Sequence, residues 1–169
     1  MFFMRVNIAL LTVTDTRTFD NDKSGNILAE KIKEATHILL DRKICKDNKD
    51  DIILILKDWL KNKNIDIIIT TGGTGLTGRD ITPEALEEVA DKHIPGFGEV
   101  FRSLSLKTVG TSAIQSRACA VLANGKYIFA LPGSSGGVTD AWEGILKHQL
   151  DINHKPCNFI ELFPRLKEK

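Results

Sequence analysis

Two kinds of apolar pattern alternate along the chain. Residues 6–13 (VNIALLTV) form a short, nearly continuous apolar run, as expected of a strand covered on both faces. Ser24 is placed to cap a helix running to about Ala35, with Leu28, Ile32 and Ala35 on one side. Residues 38–44 read as a second strand. Asn48 is a good cap for a helix through about Leu60, whose buried stripe is Ile52, Ile55, Leu56 and Trp59. Residues 65–70 (IDIIIT) predict a third strand, followed by a glycine-rich loop over residues 71–81. Thr82 is expected to cap the next helix, with Pro83 at its first position, where a missing N–H costs nothing. Pro95 and Gly96 interrupt the chain before a helical stretch at residues 97–106. Residues 119–123 and 126–131 flank Asn124-Gly125, a strong hairpin signal. A last helix is expected over about residues 137–150, after a turn at residues 132–136.

Strand alternating with helix argues for the α/β class, with a mostly parallel sheet and right-handed crossovers. The late hairpin adds an antiparallel edge. A length of 169 residues suits one domain with a core of its own.

Composition narrows the function. Hydrophobic residues make up 42% and charged residues 27%, ordinary values for a globular chain. The 23 basic and 22 acidic residues leave a net charge of +1, with one basic cluster at residues 165–169, so no general nucleic-acid binder is indicated. Three cysteines without a C-x-x-C pair suggest neither a disulfide framework nor a zinc site. No run approaches the roughly 18 apolar residues of a membrane span, and residues 1–5 lack the features of a signal peptide. The expectation is a cytoplasmic protein that contacts neither membrane nor nucleic acid.

In open α/β sheets, ligands sit beyond the carboxyl ends of the strands. Asp15 follows the first predicted strand, Asp47 the second, the glycine-rich loop the third, and residues 132–135 the last. Together they outline a cleft. The loop reads Thr70-Thr71-Gly72-Gly73-Thr74-Gly75-Leu76-Thr77-Gly78-Arg79-Asp80. Its glycines permit positive φ and close backbone approach, and successive N–H groups can cradle a phosphate. It lacks the lysine of a P-loop. Residues 73–78 do spell G-x-G-x-x-G, yet Pro83 delays the helix that a dinucleotide fold opens at those glycines. Asp80 closes this anion-binding loop, and a carboxylate there is awkward without a cation. With Asp47 across the crevice, two carboxylates beside a polyphosphate suit Mg²⁺. The bland alternatives are a helix cap for Asp47 and a turn residue for Asp80. Gly133-Ser134-Ser135-Gly136-Gly137 matches the G-x-S-x-G of a hydrolase elbow, with Asp140 and His148 following in order. Both would lie on the final helix, so a helix-capping serine with an anion-binding turn is the favoured reading.

These residues resemble the MoaB/MogA family of molybdenum cofactor biosynthesis proteins, closer to its MoaB branch. The resemblance covers nearly the whole chain. It rests on residues 12–17 (TVTDTR), 46–48 (KDN), 70–86 (TTGGTGLTGRDITPEAL), 95–99 (PGFGE), 111–117 (TSAIQSR) and 131–134 (LPGS). It implies the molybdopterin-binding fold, a single-domain three-layer α/β/α sandwich spanning residues 1–169. It also implies an adenylyltransferase: a molybdopterin phosphate attacks the α-phosphate of Mg-ATP, giving adenylylated molybdopterin and pyrophosphate. The family's acidic positions fall on Asp47 and Asp80, as catalytic and Mg²⁺-holding residues. Its binding positions fall on Thr14, Asp15, Thr71, Gly72, Gly73, Thr74, Gly75, Glu84, Pro132, Gly133 and Ser134. A homo-trimer or homo-hexamer is implied. Ser135 stands where family members often carry proline, and Gly136-Gly137 loosens that turn. A non-catalytic molybdopterin carrier and a Ser135 hydrolase are the competing readings.

Overall fold

The computed structural model describes residues 4–168. Residues 1–3 of the N-terminal stretch and Lys169 of the basic tail lie outside the described residues. The elements run β1 (Asn7–Val13), α1 (Lys23–Glu34), β2 (Ile38–Cys45), α2 (Lys49–Lys61), β3 (Ile67–Thr71) and α3 (Thr82–Val89). After these come β4 (Lys92–His93), α4 (Pro95–Val109), β5 (Cys119–Ala123), β6 (Lys126–Leu131) and α5 (Ser135–Ala141), which continues through a π-helical turn, Trp142–Leu146.

The described residues form a six-stranded sheet in the order β2-β1-β3-β6-β5-β4. β1, β2, β3 and β6 are mutually parallel; β5 and β4 complete one side antiparallel. The α/β expectation therefore holds, including the hairpin, whose Asn124 and Gly125 both take positive φ (48° and 71°). The two-residue β4, just before the start of α4, is too short to leave a periodic signal.

Alternation along the strands divides the core. Ile8 and Leu10 of β1 pack with Leu28 and Ile32 of α1, Phe97 and Phe101 of α4, and Val138 and Trp142. Ala9, Leu11 and Val13 face the other way, onto Ile52, Leu56 and Trp59 of α2 and Ala85 and Leu86 of α3. Burial on both faces explains why β1 and β3 read as continuous apolar runs.

Four helix starts differ from expectation. Pro95 and Gly96 do not interrupt the chain before α4 but open it, since proline is tolerated in a helix's first turn. Asp22, not Ser24, caps α1: its carboxylate accepts the Gly25 N–H at 3.0 Å. Ser24 lies inside the helix. The Thr82 side chain is drawn away from a capping role, because its hydroxyl donates to the Gly72 carbonyl at 2.8 Å, so α3 begins at Thr82 without a side-chain cap. The last helix starts two residues early, at Ser135, capped by Ser134. Asn48 caps α2 as expected, accepting from the N–H groups of Asp50 and Asp51.

Asp22 does more than cap. Its fully buried carboxylate also accepts the Thr12 hydroxyl at 2.6 Å and the Arg42 guanidinium at 2.9 Å, joining the end of β1 to α1 and β2. Burial opposes its charge, but Thr12, Gly25 and Arg42 together hold its pKa below the ordinary range. A buried pair that loses one partner costs about 3–5 kcal/mol. Asp22→Ala is therefore expected to lower the unfolding free energy in urea by about 3 kcal/mol at neutral pH. Because the native pKa is depressed, that contribution is present above the unfolded pKa and lost as pH falls. The gap from the wild type should accordingly shrink in acid.

Candidate functional site

The strand order reverses at β1: the chain crosses from β1 to one side for β2 and back to the other for β3. Such a switch point opens a crevice beyond the strand ends. A cavity of about 530 Å³ lies there, within the range of small-molecule sites. Its lining includes Thr14 after β1, Asp47 after β2, residues 71–75 and Asp80 from the glycine-rich loop, and residues 132–134 after β6.

The loop leaves β3 through a tight passage. Gly72 has φ +101°, and a Cβ on it would stand 2.2 Å from the Val13 carbonyl oxygen. Only glycine fits. The Gly72 N–H donates to Leu131 O at 3.0 Å and the Thr71 hydroxyl to Pro132 O at 2.8 Å, so loop and turn are fastened together. On its far side the Gly73 carbonyl accepts the Thr82 N–H at 3.0 Å. Among the described residues no acceptor takes the N–H groups of Gly73 and Thr74, both of which line the cavity.

The two acidic residues sit in different fields. Burial acts against the Asp80 carboxylate, but the hydroxyl and N–H of Thr77 (2.7 and 2.9 Å), the Gly75 N–H and Arg117 outweigh it and hold its pKa below the usual value. Asp47 has its pKa raised, first by burial and then by the charge of Asp15, with Asp80 adding and Arg79 opposing. Negative charge at Asp47 is thus under-compensated by the protein. Among the described residues no group of three or more His, Cys, Asp or Glu is gathered for a metal. A pair of carboxylates matches Mg²⁺, which keeps waters and completes its shell with substrate phosphates.

Two expected ligand contacts turn elsewhere. Asp15 does not line the cavity. Its carboxylate accepts Arg79 Nε and Nη2 at 3.0 and 2.5 Å and the Asp47 N–H at 3.2 Å, and the Arg79 bond lowers its pKa. Glu84 is also outside the lining and pairs with Arg117, which lowers its pKa in the same way. Conversely, the cavity takes in Arg17, Ser24, Gln115 and Ser116. Arg17 and residues 115–116 lie within the stretches that carry the family resemblance, whereas Ser24 had the signal of a cap. The aspartate and histidine of the hydrolase elbow are engaged elsewhere, and it is Ser134, not Ser135, that caps the helix. Asp140 accepts the Thr108 hydroxyl at 2.9 Å, and His148 faces His154 at 5.4 Å beside another, apolar cavity. No helix among the described residues is long and apolar enough to cross a membrane.

Residues 9–152 match the family model described as a probable molybdopterin binding domain. The chain belongs to this family, one of molybdenum cofactor biosynthesis. It is similar to the molybdenum cofactor biosynthesis protein B of Escherichia coli (strain K12), with 43% identity over 166 residues, 98% of this chain and 96% of that protein. A crystal structure of a molybdenum cofactor biosynthesis protein B superposes with a TM-score of 0.88 at 36% identity, covering 98% of both chains. That of the tungsten cofactor synthesizing protein MoaB from Pyrococcus furiosus gives 0.76 at 33% identity, covering 85% of this chain and 92% of that one. The molybdopterin-binding fold thus carries the cavity at its switch point.

The raised pKa of Asp47 has a measurable sign. Protonation is favoured in the native state, so the carboxyl supports folding below its unfolded pKa and loses that support as pH rises through its native pKa. Asp47→Asn is expected to raise the thermal midpoint slightly at pH 7 and to leave it unchanged at pH 3, as read by calorimetry.

Proposed function

We propose that the chain adenylylates molybdopterin, transferring AMP from ATP to the molybdopterin phosphate and releasing pyrophosphate. The observation that carries this reading is the pair of unclaimed N–H groups at Gly73 and Thr74, set in a cavity with two carboxylates. An amide cradle alone fits many anions. Amides beside the under-compensated Asp47 and the hydrogen-bonded Asp80 fit a polyphosphate that arrives with a divalent cation. The names of the relatives support the molybdopterin pathway.

In this reading an oxygen of the molybdopterin phosphate attacks the α-phosphorus of ATP. A P–O bond forms to that phosphorus as the bond to the bridging oxygen breaks, and the electron pair leaves with pyrophosphate. A phosphate monoester has its second pKa near ~6, so the nucleophile is ionised at neutral pH and no protein base is required. Positioning and charge stabilisation then carry the catalysis. The Gly73 and Thr74 N–H groups bind phosphate oxygens and face charge spreading over the transferring group. Ser134 Oγ accepts the Gly137 N–H at 3.1 Å, leaving its own proton to donate. Thr14 Oγ1 accepts from the N–H groups of Thr16 and Arg17 (3.3 and 3.4 Å) and is likewise free to donate. Asp47 and Asp80 would hold Mg²⁺, which neutralises phosphate charge when bound. Asp15 and Arg79 act one step back, bracing the segment before Asp47.

Purified protein given molybdopterin, ATP and Mg²⁺ is expected to form adenylylated molybdopterin, and EDTA to abolish it. Asp80→Asn keeps an oxygen acceptor for Thr77 but loses the charge, and should cut turnover by about 100-fold or more with the fold intact. Unchanged turnover in that variant would remove Asp80 from this role. Pterin binding without product would make the chain a carrier.

A further inference from the structure

We infer that Thr82 is a positioning residue whose buried hydroxyl fixes the peptide between Gly72 and Gly73, and so aims the Gly73 amide at a phosphate in the cavity. This rests on reading the loop as a phosphate cradle and adds the contact that gives the cradle its direction.

A peptide plane between two glycines is the easiest in a chain to turn over. Reversal changes ψ of the first residue and φ of the second by about half a turn, and glycine accepts either sign. Gly72 and Gly73 already take positive φ, 101° and 68°. The peptides on either side are fastened by backbone bonds that no side-chain substitution removes. The Gly72 N–H donates to Leu131 O, and the Thr82 N–H donates to Gly73 O, both at 3.0 Å. The peptide between them has one bond among the described residues. Its Gly72 carbonyl accepts the Thr82 hydroxyl at 2.8 Å, and its Gly73 N–H has no acceptor. That hydroxyl alone therefore decides which way the peptide faces.

The peptide is trans, so its N–H points opposite to its carbonyl. Thr82 is fully buried at the start of α3, and the Gly72 carbonyl is turned toward it. The Gly73 N–H is thereby sent to the other side, and Gly73 lines the cavity. Reversed, the peptide would offer a phosphate the Gly72 carbonyl oxygen in place of a donor. Packing cannot set the orientation instead, because Gly73 has no room for a side chain. A Cβ there would stand 2.4 Å from Thr82 Oγ1 and 3.4 Å from Asp47 Oδ1. The close approach of Thr82 thus requires glycine, with its loose backbone, and the same hydroxyl removes that looseness. Farther along, the Arg117 guanidinium takes Gly75 O and Asp80 O at 2.7 and 2.6 Å, so the loop beyond Thr74 is held without Thr82. Loss of the hydroxyl should free one peptide and leave the course of the loop intact.

The experiment titrates the full chain with inorganic pyrophosphate in EDTA, by calorimetry, so that the amides are read without a metal. Thr82→Val keeps the shape of threonine but has nothing to donate, whereas Thr82→Ser keeps the donor. The valine variant should bind pyrophosphate roughly tenfold or more weakly, and the serine variant within about threefold of the wild type. Both are measured at a temperature where circular dichroism shows them folded. Thr82→Ala removes the same hydroxyl without placing a methyl against the Gly72 carbonyl, and serves if the valine variant does not fold. In amide NMR spectra, pyrophosphate should shift the Gly73 resonance in the wild type and in Thr82→Ser, and much less in the variant without the hydroxyl. A purely structural hydroxyl would lower the thermal midpoint but leave the affinity of the folded protein unchanged. Wild-type affinity in a folded variant without the hydroxyl would overturn the inference, as would equal losses in Thr82→Ser and Thr82→Val. Absence of pyrophosphate binding by the wild type would overturn it together with the cradle. Hydroxyl-dependent binding in a protein that transfers no adenylyl group would uphold it and refute the transferase.

Discussion

The site depends on one close passage. At the end of β3 the chain slides past the end of β1 with Gly72 against the Val13 carbonyl, at a distance that leaves no room for a Cβ. Two parallel strands that end side by side would ordinarily send their connections apart. Here the loop stays close, held by Leu131 O on its N–H side and by the Thr82 hydroxyl on its carbonyl side. Everything beyond follows from that crossing: the positive φ at Gly72 and Gly73, the return to α3, and the walls of the crevice over β1, β3 and β6. The turn after β6 packs on the same point, with a Cβ on Gly133 coming 3.3 Å from Gly72 Cα.

Charge is distributed around this crossing in two ways. Asp22 is fully compensated by Thr12, Gly25 and Arg42, and it joins three elements. Asp47 is not compensated: burial and the neighbouring Asp15 push its pKa up. A residue that serves only the fold ends with its partners in place, as Asp22 does. Asp80, on the same cavity, is held instead by Thr77, the Gly75 N–H and Arg117. Asp15 and Glu84 show a third use of charge, each spent on an arginine that braces a loop. Acidic residues around this cavity are thus not equivalent, and the partner decides the role.

Much of this was legible in the chain. The alternation of buried strands and amphipathic helices predicts the parallel sheet, Asn48 marks the start of α2, and Asn124-Gly125 marks the hairpin. Polar strand ends at Asp15, Asp47, the glycine-rich loop and residues 132–135 predict one rim; Asp47, residues 71–75 and residues 132–134 do line one cavity, with Thr14 there in place of Asp15. Cap assignment failed where a side chain had a longer-range partner. Ser24 has the right chemistry for a cap, but Asp22 reaches Gly25 first. Thr82 has it too, but its hydroxyl is claimed by Gly72, ten residues earlier. The two-residue β4 has no periodicity to detect, since its existence rests on pairing with β5.

The sequence by itself determined the α/β class, the hairpin, the family and the position of the glycine-rich loop, because these depend on local backbone preference and on motifs carried within single segments. Tertiary structure decided which carboxylates face the cavity and which are neutralised beside it. Asp15 and Glu84 look as suitable as Asp47 and Asp80 until Arg79 and Arg117 are placed, 64 and 33 residues away in the chain. A carboxylate's role follows from the field around it, and that field is assembled only when distant segments meet.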